Sequence, residues 1–157
     1  MDQPKLFKDE TTYKKVVKDG EYIYIPDFLS LNEGNYYFDK LLNTIYWKQE
    51  SMNMYGKNLP FPRLTAWYGD PDKSYSFSGL TLHPNKWTTE LLEIKHKVAA
   101  EVKTPFNSVL LNRYRNGSDS MSWHQDDEKE LGANPVIASV NLGATRTFQL
   151  RHLQTLE

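Results

Sequence analysis

Residues 107–152, NSVLLNRYRNGSDSMSWHQDDEKELGANPVIASVNLGATRTFQLRH, decide how this chain is read. Four runs rich in β-branched, aromatic and aliphatic residues, at 107–115, 120–126, 136–142 and 145–152, are separated by Asn-Gly, Leu-Gly-Ala-Asn-Pro and Leu-Gly-Ala turn material. That is the pattern of consecutive short strands. Upstream the periodicity changes. Ser30 and Glu33 have the spacing of a capping box, and Phe38, Leu41, Leu42 and Ile45 recur as one helical stripe. A second helix is expected to open near Pro84, with Trp87, Leu91, Ile94, Val98 and Val102 on one face. Both stripes read as packing rather than chemistry. Tyr22 to Ile25 reads as a short strand ended by Pro26, and the first twenty residues, with Lys14, Lys15 and Lys18, as a polar lead-in. Two early helices followed by consecutive strands predict an α+β arrangement with the helices on one side of a sheet.

A chain of 157 residues, 39% hydrophobic and 13% aromatic, can bury one substantial core, and no linker or repeat divides it, so residues 1–157 are expected to form a single domain. No apolar run approaches the roughly eighteen residues of a membrane span, and the start lacks a secretory layout. The expectation is a soluble protein without a membrane partner, intracellular in the cytoplasm, or in the nucleus if the source is eukaryotic. The absence of cysteine excludes disulfides, zinc-thiolate centres and thiol nucleophiles, leaving His, Asp and Glu as metal ligands. With 19 basic and 20 acidic residues the formal charge is −1. Any nucleic-acid contact therefore needs a local patch. Arg113, Arg115, Arg146 and Arg151 could supply one, or could equally be balanced by acidic neighbours.

In Trp123-His124-Gln125-Asp126, an extended backbone sends the imidazole and the carboxylate to the same face. Such a pair supplies two members of the two-histidine, one-carboxylate triad that holds non-haem iron with open positions. Alone, His-x-Asp also reads as a solvated turn. Asn112 and Tyr114 share strand parity and place an amide beside a phenol, which can hold a carboxylate ligand or simply be a hydrogen-bonded strand feature. His83 and His96 read as solvated surface.

The stretch NRYRNGSDSMSWHQDDEKELGANPVIASVNLGATRTFQLRH, together with PRLTAWYGDPDKSYSFSGLTLHPNKW at 62–87, resembles the AlkB-type dioxygenases that remove alkyl groups from nucleic-acid bases. The resemblance runs from about residue 60 to 152, the second block being similar to the substrate-side lid of the branch acting on DNA. It implies a double-stranded β-helix, or jelly roll, with N-terminal helices packed on one side. It implies Fe(II) held by His124 and Asp126, and 2-oxoglutarate contacted by Asn112 and Tyr114. Tyr75 and Phe77 match lid positions near the damaged base, where strand packing is their alternative reading. Asp127 and Glu128 match acidic positions facing the flipped base or the lid. The implied reaction oxidises an N-linked alkyl carbon with O₂ and 2-oxoglutarate, and the hydroxylated group then leaves as an aldehyde. Alkylated DNA, with RNA as the alternative, is the implied partner. An alkylated base pairs poorly and is cheaper to extrude.

In the family, strands beyond the position of His152 carry the second ligand histidine and the arginines that clamp 2-oxoglutarate. Here Leu-Gln-Thr-Leu-Glu follows, and His152, 28 residues past His124, is rejected as third ligand. The expectation is thus a jelly roll incomplete at the C-terminus, with the third metal ligand absent, doubtful turnover and self-association through open sheet edges. A non-catalytic nucleic-acid-binding module, or an inactive fragment, is the alternative function.

Overall fold

Strands β1 (Tyr13–Val17) and β2 (Gly20–Tyr24) form an antiparallel hairpin, Tyr13 opposite Tyr24, around a Lys18-Asp19 turn in which Asp19 has φ 61. The polar lead-in therefore contains a strand. Its lysines concealed it, because the stabilising partners lie across the hairpin. Lys14 meets Glu21 at 2.8 Å, and the Tyr13 ring lies 6.1 and 5.5 Å from Tyr22 and Tyr24. The computed structural model describes residues 12–54, 56–72, 75–77, 80–126 and 131–155.

Helix α1 (Leu31–Thr44) starts as the capping box requires. Glu33 Oε2 accepts from Ser30 N and Oγ at 3.0 and 2.7 Å, while Glu33 N donates to Ser30 Oγ at 3.3 Å. The buried stripe is Tyr37, Leu41 and Ile45, at intervals of four. Phe38 is partly exposed and lies against Gly143, where an added Cβ would come within 2.7 Å of the ring.

Strands β3 (Ser51–Met54) and β4 (Lys57–Pro60) form a second antiparallel hairpin. β5 (Leu64–Gly69) follows, then the antiparallel pair β6 (Tyr75–Phe77) and β7 (Leu80–Leu82). Helix α2 (Thr89–Val102) is capped by the Thr88 side chain, which accepts from Leu91 N at 3.3 Å, and ends at Lys103 in the left-handed region. Residues 84–87, expected inside this helix, do other work. Asn85 N donates to Trp67 O at 2.9 Å, Gly69 N donates to Asn85 O at 3.0 Å, and Trp87 Nε1 donates to Asp70 Oδ1 at 2.8 Å. The backbone is taken up by the edge of β5, so the helix opens later.

β8 (Ser108–Arg113) pairs antiparallel with β5, with Leu64 opposite Arg113 and Gly69 opposite Ser108. Lys48 bridges the other side of β5 at Thr65, with both bonds at 2.8–2.9 Å. β5 is thus held along both edges, and its Thr65, Ala66, Tyr68 and Gly69 are buried. The chain divides into two units, Met1–Asp39 with Asn141–Glu157, and Lys40–Val140.

The two helices and antiparallel strands agree with an α+β composition. The further strands expected at 120–126, 136–142 and 145–152 are not formed. Their alternation is present, but a strand needs a neighbour for its N–H and C=O groups, and no β-ladder joins these runs to another described segment. Ile137, Phe148 and Leu150 are accordingly 57%, 74% and 60% exposed. Among the described residues no helix is long and apolar enough to cross a membrane.

Two substitutions test this frame by urea unfolding. Thr88→Ala should cost about 1 kcal/mol, and Thr88→Ser should restore most of it. Gly69→Ala places a Cβ 2.9 Å from Asn107 O and from Ser108 Cβ, and should cost about 1–3 kcal/mol.

Candidate metal and co-substrate site

Asn112 lies on β8 opposite Thr65, one of the two points at which β5 is gripped from both sides. Its Oδ1 accepts from Arg63 Nε at 3.0 Å. An arginine Nε only donates, so the carboxamide orientation is fixed and its NH₂ group is turned away, available to a carboxylate. The Arg63 guanidinium sits 4.8 Å from the centre of the Phe61 ring, within cation–π range. Sequence reasoning missed Arg63 because 49 residues separate it from Asn112. Tyr114, just beyond β8, is half-buried and has partners of its own.

The segment after β8 carries the expected metal pair. His124 Nδ1 lies 2.9 Å from Ser122 O. A carbonyl only accepts, so Nδ1 carries a proton, and in the neutral form of the ring Nε2 is the acceptor. That Nε2 lies 3.6 Å from Asp126 Oδ1, both side chains being nearly half exposed. Two acceptors facing each other repel unless something positive lies between them, either a second ring proton or a cation. Ligands bound at about 2.1 Å to one ion are at most about 4 Å apart, so both atoms reach a common ion as they stand. The expected His124 and Asp126 pair is therefore brought together and fits a metal. Among the described residues no group of three or more His, Asp or Glu is assembled.

The remaining candidates separate. Tyr75 and Phe77 lie on β6, backbone-paired with Leu82 and Leu80, while their side chains lie outside what the structure describes. Asp127 and Glu128 lie outside the described residues. His152 uses both ring nitrogens, Nε2 at 3.0 Å from Asp19 Oδ2 and Nδ1 accepting from Thr155 N at 3.1 Å. Of the four arginines considered for a basic surface, Arg115 is committed to Asp119 by bonds of 2.7 and 2.8 Å. That pairing holds its guanidinium pKa above the usual arginine value, the hydrogen bond being the main cause.

A histidine and a carboxylate 3.6 Å apart are two of the three protein ligands that a mononuclear non-haem metal centre uses. The chain belongs to the 2OG-Fe(II) oxygenase superfamily, whose family model matches residues 21–157. Fe(II) and 2-oxoglutarate are the cofactors of that family. Among its relatives, mouse alpha-ketoglutarate-dependent dioxygenase alkB homolog 3 is 42% identical over 127 residues, covering 80% of this chain and 44% of that protein. The Bos taurus protein of the same name is 42% identical over 153 residues, covering 95% and 53%. Human DNA oxidative demethylase ALKBH2 is 45% identical over 101 residues, covering 64% and 39%. The chain spans about half the length of the curated relatives it matches.

If Arg63 orients Asn112, the double mutant Arg63→Ala/Asn112→Ala should be more stable than the sum of the single losses predicts. A coupling of about 1 kcal/mol is expected, and strict additivity in urea unfolding would show that the bond contributes nothing.

Proposed function

We propose that this chain carries the metal-binding and co-substrate-binding part of an enzyme that oxidatively demethylates N-alkylated bases in DNA. RNA is the alternative substrate. The observation that carries the reading is the His124 Nε2 facing Asp126 Oδ1 at 3.6 Å with its Nδ1–H engaged by Ser122. The relatives' names, which include a DNA oxidative demethylase, support it.

His124 and Asp126 would hold Fe(II). Asn112 would donate its NH₂ to a carboxylate oxygen of 2-oxoglutarate, with Tyr114 beside it. When bound, the iron and 2-oxoglutarate together supply the oxidising power drawn from O₂. The alkyl carbon gains a hydroxyl group, 2-oxoglutarate leaves as succinate and carbon dioxide, and cleavage of the N–C bond releases formaldehyde and the repaired base. The protein's part is selection and placement. A base damaged on its pairing edge is extruded at lower cost than an intact one. Tyr75 and Phe77 would stack on it, with Asp127 and Glu128 facing its polar edge.

The fold that goes with this reading is the jelly roll, in one domain. The alternating runs at 136–142 and 145–152 would be its strands once paired, and their exposed Val136, Ile137, Phe148 and Leu150 are the side chains such pairing would cover. Self-association through the unpaired edges belongs to the same reading.

Incubation with Fe(II), 2-oxoglutarate, ascorbate and a methylated oligonucleotide should release formaldehyde where a third ligand completes the pair His124 and Asp126, and His124→Ala should then abolish the release. Asn112→Ala should raise the KM for 2-oxoglutarate about tenfold or more, the value of one charge-assisted hydrogen bond. No release from the unaltered chain would refute the catalytic reading. Oligonucleotide binding that is indifferent to His124→Ala but weakened by replacing Tyr75 and Phe77 would then favour a binding module.

A further inference from the structure

Asp119, 4% exposed, is the most deeply buried charged residue among those described, and nothing in the proposed chemistry uses it. It accepts from Arg115 at three points, the backbone N at 2.9 Å, Nε at 2.7 Å and Nη2 at 2.8 Å. The guanidinium fork therefore grips both carboxylate oxygens and closes the turn 115–119 into a ring. That ring is tied to the neighbouring segment. Arg115 Nη1 donates to Gln49 Oε1 at 3.2 Å, Gln49 Nε2 donates to Phe61 O at 2.7 Å, and Ser120 N donates to Pro62 O at 2.8 Å. The chain thus leaves Ser120 from a fixed point. Two residues later it presents the Ser122 carbonyl that engages the His124 ring at 2.9 Å.

We infer that Arg115 and Asp119 act as a latch that positions His124 as a metal ligand. The role rests on the proposed iron site. By fixing the backbone at 115–120, the latch sets where the Ser122 carbonyl lies. That carbonyl holds the proton on Nδ1 and leaves Nε2, 3.6 Å from Asp126 Oδ1, as the nitrogen free to ligate. With the latch open, the Ser122 contact is lost and the ring populates both tautomers. A purely structural ion pair would stabilise the turn without governing the tautomer.

The test reads the tautomer directly. In the metal-free chain, at a pH where histidines are neutral, long-range ¹H–¹⁵N spectra should show His124 protonated on Nδ1. Asp119→Asn should convert it to a tautomer mixture, leave His152 unmoved on its Asp19 and Thr155 contacts, and weaken Co(II) binding about tenfold or more. Arg115→Lys keeps the charge but loses the fork, and should produce the same tautomer mixture. It decides the question if Asp119→Asn does not fold. An unaltered His124 signal in a folded latch variant overturns the inference, as does a wild-type ring protonated on Nε2. Co(II) binding that is unaffected by His124→Ala would instead refute the iron site, and the metal-free spectra would still judge the latch.

Discussion

The pairing of β5 with β8, while β5 is also bridged by Lys48 and Asn85, is the constraint on which the site depends. Hydrogen bonding along both edges makes β5 an interior strand, and its buried Thr65, Ala66 and Tyr68 follow from that. The same ladder sets the register of β8, which fixes where Asn112 lies. A slip of one residue would send Asn112 to the opposite face. Gly69 marks the tight end of this arrangement. Its Cα faces Asn107 O and Ser108 so closely that a side chain has no room. The ladder thus specifies its register through sterics at one end and through the Arg63 bond to Asn112 at the other.

What the sequence reveals follows the range of the interaction. The capping box at Ser30 and Glu33 is closed within three residues, so its signature is readable and the structure reproduces it. The start of α2 depends on Asn85 docking against Trp67, 18 residues away, and periodicity placed it too early. β1 was concealed for the same reason, since its lysines are satisfied across a hairpin rather than along the strand. The runs at 120–126, 136–142 and 145–152 show the converse. Alternation records which face of a strand would be buried, but only a paired neighbour makes it a strand.

The site divides along the same line. His124 and Asp126 lie two residues apart, and proximity along the chain brings their side chains within 3.6 Å. Asn112 was legible from strand parity, whereas its orientation was not, because Arg63 comes from a different strand entry. Asp119 sits in a stretch that reads as ordinary Asn-Gly turn material. Its role emerges only from three donors on Arg115 and from the tie through Gln49 to Phe61. A signal was present in the sequence, an Arg and an Asp four residues apart flanking a turn, but that spacing is too common to single out.

The two carboxylates of this loop show how structure and chemistry are told apart physically. Asp119 is buried, and a buried charge is tolerated only when its lone pairs are met, which the Arg115 fork and backbone N–H do. Asp126 is nearly half exposed and faces the unprotonated nitrogen of a ring whose other nitrogen is already occupied. Water can solvate such a pair, so it costs the fold little. Either a second ring proton or a bound cation relieves the repulsion in this pair, and a cation would gain two ligands in doing so. The carboxylate met by the Arg115 fork therefore holds the loop, while the half-exposed one faces the His124 ring. Exchanging those environments would destroy both properties, because burial would forbid an uncompensated Asp126 and exposure would leave the Asp119 latch open to competition from water.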